Sequence, residues 1–534
     1  MKKIIIPFIV VLGIVFGVFA GNYFAKNSIK GQISDISQRI TMSSGNKLSD
    51  VLKIVEKYYV DSLEFDTLIE QVIPDIMSRL DPHSVYIPAK DIALANEQLA
   101  GSFYGIGIEF NMQTDTIYVV NVVSGGPSHK AGIMAGDRIV SVDDSIYAGK
   151  KLSPDAVKNN LRGDKGSKVK LGIKRQDNKE LIYYTVTRDI IPLNSIDVAY
   201  MINETIGYIS INKFGETTYK EFLNALTSLR RQKAQSLIID LRGNSGGYMG
   251  AAIEMANEFL SSGDLIVYMQ GAHQPRIDSY ADGNGSFKTM KITVLVDEFS
   301  ASSSEIFAGA IQDNDRGKII GRRSFGKGLV QKPIELKDGS EIRLTIAKYF
   351  TPSGRCIQKP YELGAGDAYE MDLINRYKHG EFYSKDSIKQ NMKEVYKTKN
   401  GREVYGGGGI MPDIFVPSDT TGSTKFFMQL SNKGIIYKFA LIYTDKNRAT
   451  LKKFDDLSSL QPFLAEQKLF EQVVAYAEKE GIKCTNSEKQ KSRLLVEKYL
   501  MAYIIRNTLD DEGFYPFINQ TDDCVRRAVE ELSK

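Results

Sequence analysis

The sequence predicts a multidomain α/β protein, and three observations predict it. The chain has 534 residues, enough for about three or four domains. Its hydrophobic fraction of 42% and charged fraction of 25% are those of a folded globular chain, which excludes global disorder and a polytopic membrane protein. Its texture also changes along its length. A helical stretch gives way to short alternating runs, then to a regular β/α alternation, then to a helical tail.

Residues 1–24 stand apart. Met1-Lys2-Lys3 is basic and Ile4 to Ala20 is apolar throughout, the pattern of a signal peptide or membrane anchor. Val18-Phe19-Ala20 suits a cleavage site, and an uncleaved anchor fits equally; either way the rest of the chain is expected to be exported. Residues 25–95 read as a polar linker to about 47, followed by helical periodicity over 48–80. Asp81-Pro82 stops that helix, because a proline ring disfavours helical geometry at the residue before it.

Residues 96–190 read as a small β-rich module. Its strand-like runs include Ile106–Phe110, Ile117–Val120, Arg138–Val142 and Val169–Ile173, and short helices fit at 127–133 and 153–161. Residues 191–420 read as a layered α/β core. Strands fall at 206–211, 236–241, 264–269 and 291–296, helices at 216–231, 248–260 and 302–313, and strands return at 317–321, 328–335 and 341–350. The polar stretch 360–404 reads as a surface excursion, and 421–534 as amphipathic helices.

The net charge of +4 is nearly neutral for this length and gives no electrostatic case for nucleic-acid binding. Three cysteines without C-x-x-C spacing make neither a disulfide framework nor a structural zinc site, and four scattered histidines weaken any His-cluster mechanism. No metal or cofactor is expected.

Four motifs carry the chemistry. Tyr104-Gly105-Ile106-Gly107-Ile108 is a glycine turn able to expose consecutive N–H groups to a carboxylate, with a strand behind it whose edge accepts an extended peptide. With Gly126-Pro127 and Gly136-Asp137-Arg138-Ile139 at their spacing, it resembles a PDZ domain. Asp240-Leu241-Arg242-Gly243-Asn244-Ser245-Gly246-Gly247 follows a buried strand, and its glycines can present N–H groups to an oxyanion. Ser300 to Glu305 opens a helix; a serine there is ordinarily an N-cap, yet the helix N-terminus also favours a developing oxyanion. Gly321 to Gly328 nearly matches a phosphate-binding loop but has Gly328 where the hydroxyl is required, and a β-type run follows it. Lys327 there suits a general base, since flanking glycines cannot pair it and burial lowers a lysine pKa.

In this order, and with Asp81-Pro82-His83-Ser84-Val85-Tyr86, Tyr349 to Arg355 and Gly406 to Ile410, these segments closely resemble the C-terminal processing peptidases, or tail-specific proteases. The resemblance covers about 48–420. It implies an exported Ser–Lys serine protease with an inserted PDZ domain, on the periplasmic side of the bacterial inner membrane or soluble in the periplasm, acting on envelope proteins. It places the nucleophile at Ser302, the dyad base 25 residues on at Lys327, and its orienting partner at Gln331. Ser303 stands where the family usually has alanine, so Ser303 and Ser304 remain alternatives. Lys327 and Gln331 are four residues apart, an even step that lets them share a strand face. The resemblance further implies an oxyanion hole from the Ser303 N–H and a glycine N–H of Gly246-Gly247, with Gly246 preferred. The Tyr104–Ile108 loop is expected to capture free, apolar C-termini. Arg162 is expected to touch the protease body and relay peptide binding. Residues 421–534 lie outside the resemblance; their apolar stripes read as ordinary core, with a dimerisation element, an adaptor dock or a lid as the alternatives. Two competitors stand: a catalytically inactive PDZ scaffold, or an enzyme idle without its adaptor, and a Ser-His-Asp hydrolase.

Overall fold

Strands Ile206–Ile211 and Ser236–Asp240 are buried at every position. Strands of that kind need partners on both edges and cover on both faces, and the fold supplies both. A computed structural model describes residues 47–112, 116–175, 178, 180–389 and 393–534. The expected signal or anchor at 1–24 lies outside them; among the described residues no helix is long and apolar enough to cross a membrane.

The chain forms two compact units that divide after Ile76. In the first, the periodicity read as one helix over 48–80 resolves into two, Lys47–Tyr58 and the helix that starts at Phe65.

The second unit is built on a six-stranded sheet ordered Ile196–Met201, Ile206–Ile211, Ser236–Asp240, Lys291–Val296, Lys318–Gly321 and Ile414–Phe415. The first pair is antiparallel and the other junctions are parallel. Helices Thr218–Arg231, Met249–Asn257 and Ser303–Asp313 cover one face through Phe222, Leu226, Met255, Phe307 and Ile311. The other face is covered by the chain's last helix, Asp523–Leu532, whose Cys524, Val525, Ala528 and Leu532 pack on Tyr208, Ile238, Leu295 and Ile320. The tail thus completes the core. A second sheet centres on Glu341–Phe350, which pairs with Val85–Ile87, Leu265–Gln270 and Leu329–Glu335.

The β-rich module is a sheet ordered Ile108–Asn111, Ile117–Val122, Arg138–Val142, Lys168–Lys174 and Ile182–Thr187, closed by helix Pro154–Leu161. Its core is Ile106, Val119, Ile139, Val157, Leu171 and Val186. Strands Ser102–Gly105 and Asp189–Pro192 pair and bring its two ends together.

The stretch 360–404 is more than a surface excursion. It contains helix Gly366–Lys378, which buries Tyr369 and Arg376, and the hairpin Val395–Lys397 with Glu403–Tyr405. Two of its charges are internal ties: Glu381 takes both Arg323, at 2.7 Å, and Arg376, at 2.8 Å. The tail helices from Lys425 onward share a core of Phe426, Leu430, Leu460, Val473, Val496 and Leu500. They also meet the β-rich module. Arg138 pairs with Asp445 at 2.9 Å, and Arg448 donates to Tyr118 Oη at 3.1 Å.

Candidate active site

Parallel strand Lys291–Val296 ends at the loop that carries Ser300–Ser304, and helix Ser303–Asp313 begins there. Ser302 sits at the helix N-cap with φ 55° and ψ −114°. That conformation is strained for a residue with a side chain, and such strain gathers at functional positions. Its two neighbours are buried and committed. Ser303 Oγ donates to the Gly247 carbonyl at 2.8 Å, and Ser304 Oγ to the Asn244 carbonyl at 2.9 Å. Ser302 is partly exposed at the same turn.

Glu305, one turn into the helix and fully buried, organises the site. Its Oε2 accepts from the Ser302 N–H at 2.9 Å and the Lys327 N–H at 2.8 Å; its Oε1 accepts from the Gly326 N–H at 2.8 Å and Ser324 Oγ at 2.5 Å. Burial pushes its carboxyl up to about 7 against these four hydrogen bonds. The Tyr349 hydroxyl adds a second tie, donating to the carbonyls of Ser302, at 3.1 Å, and Lys327. Sequence reading quoted Glu305 and Tyr349 inside motifs without giving either a task. An acid at the third helical position reads as part of a cap, and Tyr349 lies 47 residues from Ser302.

Lys327 Nζ donates to Gln331 Oε1 at 3.2 Å, and Gln331 Nε2 donates to the His83 carbonyl. Burial holds the Lys327 ammonium below the usual lysine range, while Glu305 and Asp81 pull it the other way. The pairing expected from a shared strand face arises differently. Lys327 precedes strand Leu329–Glu335, and an irregularity at Val330/Gln331 breaks the register between them. Among the described residues Lys327 Nζ makes no hydrogen bond to Ser302 Oγ.

His83 lies at the same centre. Its Nε2 contacts Tyr369 Oη at 3.1 Å, and burial, with Lys327 nearby, pulls its pKa down to about 4. Among the described residues no histidine is hydrogen-bonded to Ser302, Ser303 or Ser304. Asp81 is spent on its own turn: it accepts from the His83 and Ser84 N–H groups, Ser84 Oγ and Thr345 Oγ1. Burial opposes its ionisation, but those hydrogen bonds hold its carboxyl below the usual range.

The glycine loop lies against Ser302. A Cβ on Gly246 would stand 2.7 Å from Ser302 Cβ and 2.9 Å from the Ser303 nitrogen. The Gly246 N–H is taken, however, by Asn244 Oδ1 at 2.8 Å. Among the described residues the N–H groups of Gly247 and Ser303 meet no acceptor. The structure therefore moves the free glycine donor from Gly246 to Gly247.

The β-rich module holds an open groove of about 750 Å³ between strand Ile108–Asn111 and helix Pro154–Leu161. Gly105, Ile106, Gly107 and Ile108 line it, together with Phe103, Leu161 and Arg162. Tyr104 lies outside the lining and is exposed, so Phe103 and Phe110 rather than Tyr104 supply the aromatic rings of this groove. Arg162 makes its ion pair outside the protease core. It meets Glu97 on helix Ile92–Ala100 at 2.7 Å and lies 4.5 Å over the Phe103 ring. That helix continues toward the core, where the Leu99 carbonyl accepts from the Glu216 N–H at 3.0 Å.

The matches to family models follow this layout. Residues 205–364 match the model for Peptidase family S41, 105–186 that for a PDZ domain, and 426–510 a family of unknown function (DUF8443). The carboxy-terminal processing protease CtpB of Bacillus subtilis is 32% identical over 433 residues, which is 80% of this chain and 89% of that protein. A probable CtpA-like serine protease of Staphylococcus aureus is 34% identical over 314 residues, 58% of this chain and 62% of that one. Among solved structures, the photosystem II D1 C-terminal processing protease is 24% identical with a TM-score of 0.35, covering 69% of this chain and 92% of that one. Fold, site and matches define a serine-type peptidase with a PDZ domain set before its core. The chain belongs to the carboxy-terminal processing proteases of peptidase family S41.

Proposed function

We propose that this protease captures the free, apolar C-termini of envelope proteins in its PDZ groove and cleaves them with a Ser302–Lys327 dyad. One observation carries the reading: the backbone N–H groups of Ser302 and Lys327 converge on Glu305 Oε2, while the competing Ser303 and Ser304 hydroxyls are tied to carbonyls. Neutral Lys327, favoured by its burial and oriented by Gln331, takes the Ser302 proton as Oγ attacks the peptide carbonyl. The N–H groups of Ser303 and Gly247 receive the oxyanion. Lys327 then protonates the leaving amine, and water releases the acyl group from Ser302.

Residues 1–24 would export the chain to the periplasmic side of the bacterial inner membrane, as an anchor or a cleaved signal. Residues 421–534 remain the place for an adaptor or a second copy. A second reading, an enzyme idle until its partner or substrate binds, is favoured by the Lys327 ammonium resting on Gln331 rather than on Ser302.

The test is cleavage of an unstructured substrate with an apolar C-terminus, run beside its amidated form and with Ser302→Ala and Lys327→Ala. Cleavage by the wild type alone, weakened by amidation, is expected. Cleavage that survives Lys327→Ala would refute the dyad.

A further inference from the structure

We propose that the groove selects tails with an acidic side chain two residues before an apolar C-terminal residue, and that Lys158 reads that acid. The inference rests on capture of a free C-terminus by this groove and adds a sequence preference to it.

Strand Ile108–Asn111 is the outermost strand of its sheet, so its free edge can accept an added strand. The Gly105 end of the groove corresponds to the C-terminal end of helix Pro154–Leu161, because a Cβ on Gly105 would stand 3.8 Å from Arg162 Cγ. A tail with its carboxylate at that end runs antiparallel to Ile108–Asn111 and passes Leu161, then Lys158, then Pro154. Strand side chains alternate, so the last residue and the one two before it face the same way, about 6.8 Å apart. The last residue meets Ile106, Ile108 and Leu161. Lys158 lies three residues from Leu161, about 4.5 Å along the helix, and its long stem spans the remaining distance.

Charge singles out Lys158. The described lining holds three charged residues, Glu109, Lys158 and Arg162. Arg162 is held by Glu97, with both side chains about one-quarter exposed or less. Glu109 is turned to Arg506, Asp510 and Asp511 of the tail helices, and burial raises its carboxyl pKa. Among the described residues Lys158 pairs only with Asp155, 3.3 Å away on its own helix and 85% exposed. Such a pair is weak and exchanges readily for a carboxylate brought by a ligand.

Fluorescence polarisation tests this with the full chain carrying Ser302→Ala, which blocks turnover. The probes are short labelled peptides ending X-Ala-Leu with a free carboxylate, X being Asp, Ala or Lys. At low salt the Asp peptide should bind tightest and the Lys peptide weakest, with a span of roughly fivefold. Lys158→Glu should invert the order, Lys158→Gln should flatten it, and about 0.5 M salt should flatten it in the parent protein. Equal affinities, or an order that Lys158→Glu leaves unchanged, would overturn the assignment. The amidated Asp peptide separates the two failures. Weaker binding on amidation keeps C-terminal capture and removes only the role of Lys158, whereas unchanged binding removes both.

Discussion

Ser302 and Lys327 are joined through a single atom: their backbone N–H groups donate to Glu305 Oε2 at 2.9 and 2.8 Å. A carboxylate fixed inside the helix sets the loop of the proposed nucleophile and the loop of the proposed base in one frame. Replacing Glu305 with Gln keeps the shape and leaves one oxygen for four donors. The loss of kcat should be a hundredfold or more, about 3 kcal/mol of transition-state stabilisation. A second readout separates positioning from simple damage. The Glu305 charge raises the Lys327 pKa, so the alkaline-rising limb of kcat against pH should move to lower pH in Glu305→Gln. A limb that stays in place would show that Glu305 does not bear on Lys327 electrostatically.

Tyr349→Phe removes the hydroxyl that ties the Ser302 and Lys327 carbonyls. The ring is buried and its apolar contacts survive. Stability should fall by about 1–2 kcal/mol, and kcat by roughly tenfold with KM little changed. Denaturant melts and steady-state kinetics on the same preparation measure both.

Gly246→Ala tests the closeness of the glycine loop. At φ 98° an alanine is strained, and its Cβ would lie 2.7 Å from both Ser302 Cβ and the Ala301 carbonyl oxygen. Neither neighbour is the flexible end of a side chain, so the strained turn at Ser302 must shift. Activity should drop at least a hundredfold, while peptide binding in the PDZ groove, whose lining includes no residue of this loop, stays within about twofold.

The meeting of Lys327 and Gln331 was legible through the family resemblance, which sets their spacing, and the β/α alternation that builds the main sheet was legible in the hydrophobic pattern. What spacing cannot carry is a contact between segments whose separation varies freely. Tyr349 to Ser302 depends on how loops fold back, whereas Asn244 Oδ1 to the Gly246 N–H is a local two-residue turn of the kind asparagine favours. The second contact took the donor that sequence reading preferred. Polar composition misled for 360–404, where Arg376 and Glu381 are buried because they satisfy each other and Arg323. Arg162 was expected to reach the protease body on the strength of the family resemblance, and its ion-pair partner proved to be Glu97.

His83 makes stability depend on pH. Its folded pKa, about 4, lies below the ordinary value of 6.5. The unfolded chain therefore binds more protons between these values, so stability is fully present above about 6.5 and falls as pH drops toward 4. Urea midpoints over that window should show a slope that His83→Gln reduces. An unchanged slope would place the acid sensitivity elsewhere.

The final helix makes the strongest claim about the tail. Val525 and Ala528 face Tyr208, Ile238 and Leu295 on the sheet that carries the Gly246 and Ser302 loops, and both are buried. Asp522 at its start pairs with Arg242 at 2.8 Å, and Arg242 in turn holds Asp240 at the end of strand Ser236–Asp240. Ala528→Asp places an unpaired carboxylate against that face and should cost roughly 3 kcal/mol or more. Asp522→Asn leaves the apolar cover intact but weakens the tie at the glycine loop. It should lower kcat severalfold with a smaller loss of stability, because Arg242 stands four residues before Gly246. If Ala528→Asp melted like the parent protein, the tail would have to be a separable module rather than the second cover of the main sheet. Urea unfolding of both variants, followed by intrinsic tyrosine fluorescence and by activity, distinguishes the two arrangements.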